Sequence, residues 1–280
     1  MLDSDVFSSV LRTAVYVGTI TVAGGQLVKW MLPQLSPRTI QLQSVFGAAL
    51  LLLVEAILII SFQIAIAGGD TSLGLSTTFL AIGAQMGPQQ ASMLRLISAL
   101  VVFIALNRSV LVMRLLAFLL IASYLLEGHT VSEENRILGG SLLFIHITIA
   151  HWWFASLYPL IVQLRDDRGD CTRLLIERFS ALANYAIPIL LAAGATLLLL
   201  LLDGRIDVDQ TYQKRFVIKL VLVATILAIA ALNKFLLTPA LRNGQRKSTS
   251  RIQVWIFIEL IVASSILAAT AWAILVGPEA

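Results

Sequence analysis

The sequence predicts an all-α membrane protein, a bundle of about eight spanning helices with almost no soluble part. Three observations predict it. Hydrophobic residues make up 58% of the 280 residues and charged ones only 13%, about half the charged share of a soluble domain. Mean hydropathy is +0.89. The apolar residues also fall into long blocks, each near the roughly 20 residues that cross a hydrocarbon core about 30 Å thick.

The blocks run in order through Val6–Met31, Leu42–Ala67, Gln89–Ala105, Val110–Leu126, Ile137–Leu164, Leu174–Leu202, Phe216–Leu237 and Val254–Val276. The third and fourth are short, so two full crossings and a kinked re-entrant pair both fit them. In lipid every backbone polar group needs an internal partner, which these Leu/Ile/Ala-rich runs supply as helices. A barrel needs alternating runs of about ten residues, and the sequence has none. Connections are short. The longest, Gly68–Pro88, contains the modestly apolar Ser76–Met86, which suits a helix lying along the membrane surface; Asp207–Arg215 is a second such piece. The start, Met-Leu-Asp-Ser-Asp, lacks a basic n-region, and the first block exceeds a signal-peptide core, so it reads as a retained span.

Cations sort by loop. Arg38, Arg108, Arg165, Arg168, Arg173, Arg242, Arg246 and Lys247 follow spans 1, 3, 5 and 7, while the opposite face has fewer, among them Arg136, Arg205, Lys214 and Arg215. The positive-inside rule assigns the richer set to the cytoplasm. Both termini are then expected outside, in the periplasm of a Gram-negative inner membrane. The net charge of +4 has this explanation, and no aromatic-interleaved basic patch points to nucleic acid. Cys171 is the only cysteine, so neither an intrachain disulfide nor a CxxC metal motif exists. Ala-Leu-Asn recurs at Ala105–Asn107 and Ala231–Asn233, and spans 1 and 5 overlay with Arg12 on His146. A single membrane domain of two parallel four-helix halves, 1–127 and 128–280, fits that faint repeat.

An ionisable side chain deep in lipid is costly and normally faces a bundle interior. Arg12, Glu55, Arg95, His146, His151, Lys219 and Glu259 occupy such positions. Arg12, Arg95 and Lys219 read either as snorkelling cations or as interior ones. Glu55 reads as an arginine partner or as part of a path. Glu259 reads as a partner for a loop cation or as a functional carboxylate. His146 lies about nine residues into span 5, roughly 13 Å from the outer surface, and His151 points about 140° away from it. Trp153 shares the His146 face. Imidazole and thioether suit copper; Met86 and Met93 fall near the outer face, beside His129 and above His146. Neither HxH, MxxM, a hydrolase elbow, a P-loop nor HExxH occurs.

Span 5 reads FIHITIAHWWFASLYP (Phe144–Pro159). It is followed by IERFSALANYAIP (Ile176–Pro188), TYQKRFVIKL (Thr211–Leu220), ALNKFLLTPAL (Ala231–Leu241) and WIFIEL (Trp255–Leu260), with EGHT at Glu127–Thr130. This order resembles the copper resistance protein D (CopD) family over about 125–273. That family has His then Trp seven residues on, Arg-Phe-Ser, a Thr entry into a Lys-bearing helix, an Asn-(Arg/Lys) exit with Pro, and a Glu early in the last span. Two positions depart from it: Trp153-Phe154-Ala155-Ser156 replaces Trp-Val-Gly-Gly, and Gln213-Lys214 stands where a Gly is usual. The resemblance implies a transporter importing copper, as Cu(I), from the periplasm, received near His129, Met86 or Met93 and passed to His146 above Trp153. Glu55, Lys219, Glu259, Arg12, Arg95 and His151 would line or support the path, and a periplasmic copper-binding protein would be a partner. The same helix is similar to that of HemJ-type protoporphyrinogen oxidases. That second resemblance implies a haem b redox protein with His146 and Lys219 as ligands.

Overall fold

The computed structural model describes residues 2–106, 109–127, 136–165, 170–201, 211–237 and 246–275. Every regular element among them is helical. Helix α1 (Leu2–Thr19) runs through a π-helical turn (Ile20–Gly24) into α2 (Gly25–Met31). Then follow α3 (Pro37–Ile66), two short helices α4 (Thr71–Gly74) and α5 (Thr77–Gly83), α6 (Gly87–Ala105) and α7 (Val110–Ala122), which ends in a 3-10 turn, Ser123–Leu125. The rest is α8 (Arg136–Arg165), α9 (Asp170–Leu201), α10 (Thr211–Leu232) with a π-helical turn Asn233–Leu237, and α11 (Arg246–Ile274).

Seven of these stretches are long and apolar enough to cross a membrane among the described residues. The expected fourth span is the exception. Val110–Leu125 is apolar but short, and at about 1.5 Å per residue it reaches about 24 Å, less than the hydrocarbon thickness. Between α3 and α6, Gly68 (φ +68°) and Gly69 (φ +92°) reverse the chain in a backbone region that disfavours other residues. Asp70 then caps α4 through the amides of Ser72 and Leu73 at 2.8 and 3.1 Å. The Ser72 hydroxyl and these amides hold its carboxyl below the usual carboxylate range.

The outer surface is a belt of apolar side chains, with Leu111, Ile104 and Leu53 each more than 60% exposed. Lipid accepts such a belt and water does not. At one end Arg114 stacks on Trp30 (5.5 Å). Arg215 stacks on Trp272 (4.2 Å) and donates to its carbonyl. Aromatic residues and cations paired in this way suit the interfacial ends of spanning helices.

Helix α1 is the centre of the bundle. It packs on α3, and its π-helical turn reaches α3, α7 and α8; α11 covers another side of α1. Close approach needs small residues, since lipid supplies no hydrophobic drive between helices. A Cβ on Gly24 would stand 2.2 Å from the His151 carbonyl oxygen and 2.6 Å from Ala155 Cβ. Because one obstacle is backbone, Gly24→Ala is expected to push α1 from α8 and destabilise the protein by about 1–3 kcal/mol, read as a lower thermal midpoint in detergent.

Two prolines, Pro159 in α8 and Pro188 in α9, lie inside helices. Pro159 cannot donate to the carbonyl four residues back, Ala155. Gln43 of α3 donates to that oxygen instead, at 3.1 Å. Pro188 in α9 likewise leaves the Asn184 carbonyl without its helical donor.

Candidate functional site

His146 is half-buried on the α8 face turned to α9. Its Nδ1 lies 3.1 Å from the Leu190 carbonyl oxygen. A carbonyl only accepts, so Nδ1 carries the proton and Nε2 keeps its lone pair. This is the arrangement in which a backbone carbonyl orients an imidazole for ligation. Gly194 makes it possible. It lies one turn beyond Leu190, and a Cβ there would stand 2.8 Å from His146 Cε1 and 2.9 Å from Nδ1. Sequence reading passed over Gly194; a lone glycine in a leucine-rich helix was the available signal. On α10, Lys219 has its Nζ 5.2 Å from the centre of the Phe216 ring.

Two turns further along α8, Trp153 is buried at the wall of a groove of about 240 Å³ between α8, α9, α10 and α11. The expected shared face of His146 and Trp153 is therefore the face toward α9. Glu259 and Asn233 meet in this groove: the Asn233 amide donates to Glu259 Oε1 at 2.6 Å. Lys234 donates to Asn184 Oδ1. The π-helical turn supplies both Asn233 and Lys234, and such turns are frequent at functional sites. Of the two readings of Glu259, a partner for a loop cation or a functional carboxylate, the first is replaced by an amide partner, Asn233.

His151 faces the other way, toward α1. Its Nδ1 donates to its own helix at Ile147 O (2.8 Å), and Nε2 lies 3.3 Å from Thr19 Oγ1. Thr19 in turn pairs with the Tyr124 hydroxyl at 2.6 Å. Both nitrogens have a neighbour, so His151 ties α8 to α1. The divergence of the two histidines agrees with their five-residue spacing.

Arg95 does not snorkel. It is 1% exposed, and its guanidinium bridges Glu55 and Glu127. Ser123 Oγ (3.3 Å), Ser92 Oγ (3.5 Å) and the Tyr124 ring (5.6 Å) complete its surroundings. Glu55, fully buried, is accordingly an arginine partner. Arg12 lines a cavity beside this cluster. Met86 is exposed at the start of α6 and Met93 is half-buried on it. Helix α6 packs on α3 and α7, so neither methionine shares the α8–α9 face of His146. His129 lies outside the described residues. Among those residues, no three His, Cys, Asp or Glu side chains converge on one ion position.

The groove and the helix that orients His146 both lie in the second half of the chain, where the sequence motifs also fall. Residues 173–273 match the family model of copper resistance protein D. This is the CopD family that the motifs resemble. The match covers α9 from Arg173, α10 and most of α11. It thus takes in Asn184, Leu190, Gly194, Lys219, Asn233, Lys234 and Glu259, while His146 and Trp153 dock onto it from α8. Neither the curated proteins nor the solved structures contain a match.

Proposed function

We propose that this multi-pass membrane protein carries copper inward across a bacterial inner membrane, with Val110–Leu125 as a short eighth crossing that leaves both termini in the periplasm, and with His146 as a ligand along the way. The CopD match over 173–273 carries this reading. His146 is anchored to that segment through Leu190 and presents an Nε2 with no hydrogen-bond partner among the described residues. An imidazole binds Cu(I) well. About 10 Å further along α8, the groove offers Glu259, Asn184 and the carbonyl freed by Pro188. Oxygen ligands hold Cu(I) more weakly than nitrogen or sulfur, and a permeating ion must be released as well as captured. Passage from His146 past Trp153 to this groove leads toward the cation-rich side. A periplasmic copper-binding protein is the natural donor.

A second reading has its own observation. The Nε2 of His146, without a partner among the described residues, also suits axial ligation of haem b, with Lys219 of α10 as the second ligand that the HemJ resemblance implies. The absorption spectrum of the purified protein separates the two: copper handling predicts no Soret band, and a Soret band lost in His146→Ala supports haem. Copper accumulation in cells then tests import. Wild type should raise cell copper above vector controls, and no rise would count against the proposal.

Gly194→Ala gives a finer test. Alanine favours a helix interior by about 1 kcal/mol over glycine, so the fold should hold, while the new Cβ displaces the imaidazole ring of His146. Copper uptake is expected to fall severalfold at an unchanged or raised thermal midpoint, both measured on the same preparation.

A further inference from the structure

A second site lies in the first half of the chain, outside the matched segment and independent of the copper reading. It is a cavity of about 280 Å³ lined by Arg12, Tyr16, Gln89, Ser92, Arg95 and Glu127 together with apolar side chains. Its lining among the described residues is of oxygen and nitrogen groups with apolar side chains. Three features share it. The first turn of α6 enters it through Pro88 and Gln89, and the N-cap, Met86, provides no side-chain acceptor. The first amides of a helix have no intrahelical acceptor and carry its positive end. Next, Gln89 is only 1% exposed, yet its side-chain Nε2 has no hydrogen-bond partner among the described residues. A buried donor left unpaired is costly. Lastly, Arg12 makes no ion pair among the described residues.

Arg95 adds nothing to this demand, because Glu55 and Glu127 occupy its guanidinium. Arg12 is thus the cation of the lining that has no carboxylate of its own among the described residues. Water satisfies an amide donor but brings no charge. An oxyanion satisfies the Gln89 donor, the positive end of α6 and the Arg12 guanidinium together.

We infer that this cavity binds an oxyanion group, a carboxylate or phosphate, held by Arg12, Gln89 and the first turn of α6. A free small anion and the headgroup phosphate of an anionic phospholipid share that chemistry. The full chain, purified in an uncharged maltoside, distinguishes them. Calorimetric titration with sodium phosphate and with sodium acetate, at constant ionic strength in chloride, reports the free anion. Native mass spectrometry of protein purified with added phosphatidylglycerol reports the lipid. Arg12→Gln and Gln89→Met are expected to weaken whichever is bound by at least about tenfold, and exposed Arg136→Gln should leave it unchanged. Size-exclusion profiles confirm that each variant folds. Saturable phosphate or acetate binding lost in both variants assigns a soluble ligand. Retained lipid lost in both assigns a headgroup. Absence of both, or binding equal in wild type and variants, overturns the inference.

Discussion

Replacing Arg95 with methionine is expected to destabilise the protein by about 3–5 kcal/mol, the usual consequence of removing one partner from a buried ion pair. Glu55 is fully buried on α3 and would be left as a carboxylate without its cation. Glu127 is 28% exposed and can turn to solvent, so most of the loss falls on Glu55. Arg95 also joins α6 to the 3-10 turn through Ser123 and stacks on Tyr124; loosening there reaches Thr19 and His151 through the Tyr124 hydroxyl. Arg95→Lys should recover little, since one ammonium cannot reproduce a guanidinium that serves two carboxylates at once. Adding Glu55→Gln to Arg95→Met should recover part of the loss by removing the unpaired charge. Unfolding in detergent, followed by tryptophan fluorescence, measures all three. A cost below about 1 kcal/mol, the range of exposed pairs, would show that water reaches the cluster.

The other large effect is functional. His146→Ala removes one hydrogen bond to Leu190, worth only about 0.5–1.5 kcal/mol, so the fold should survive. Cu(I) affinity of the purified protein should fall by about 10–100-fold, the range seen when the support of a metal ligand is lost, or more because the ligand itself is removed. His151→Ala is the informative contrast. It breaks the tie to Thr19 and should lower the thermal midpoint more than His146→Ala, with a smaller effect on copper affinity. Competition with a Cu(I) chelator reads the affinities, and thermal unfolding reads the midpoints.

How legible these sites were depended on the kind of interaction. Hydropathy located the helices because lipid imposes length and apolarity on each one separately. It left Val110–Leu125 open, since a helix too short for the bilayer is still apolar. Helical spacing separated His146 from His151, a property of one helix. It did not show that Arg95 meets Glu55, because that contact joins two helices 40 residues apart, and a cation near a helix end reads equally as snorkelling. The partners of carbonyls freed by proline were hidden for the same reason: Pro159 foretells a free Ala155 oxygen but not Gln43. The π-helical turns beside His151 and Glu259 leave no mark in composition. Family motifs carried the functional reading where spacing was silent, above all in Asn233, Lys234 and Glu259, which the fold gathers into one groove.

Copper entry into proteoliposomes is the most direct test of the central claim, with Cu(I) supplied outside and a trapped chelating dye reporting the lumen. Wild-type protein should show saturable entry, and His146→Ala, folded and equally reconstituted, should show less than about a tenth of that rate. Equal entry with wild type, His146→Ala and protein-free vesicles would contradict copper transport through this site.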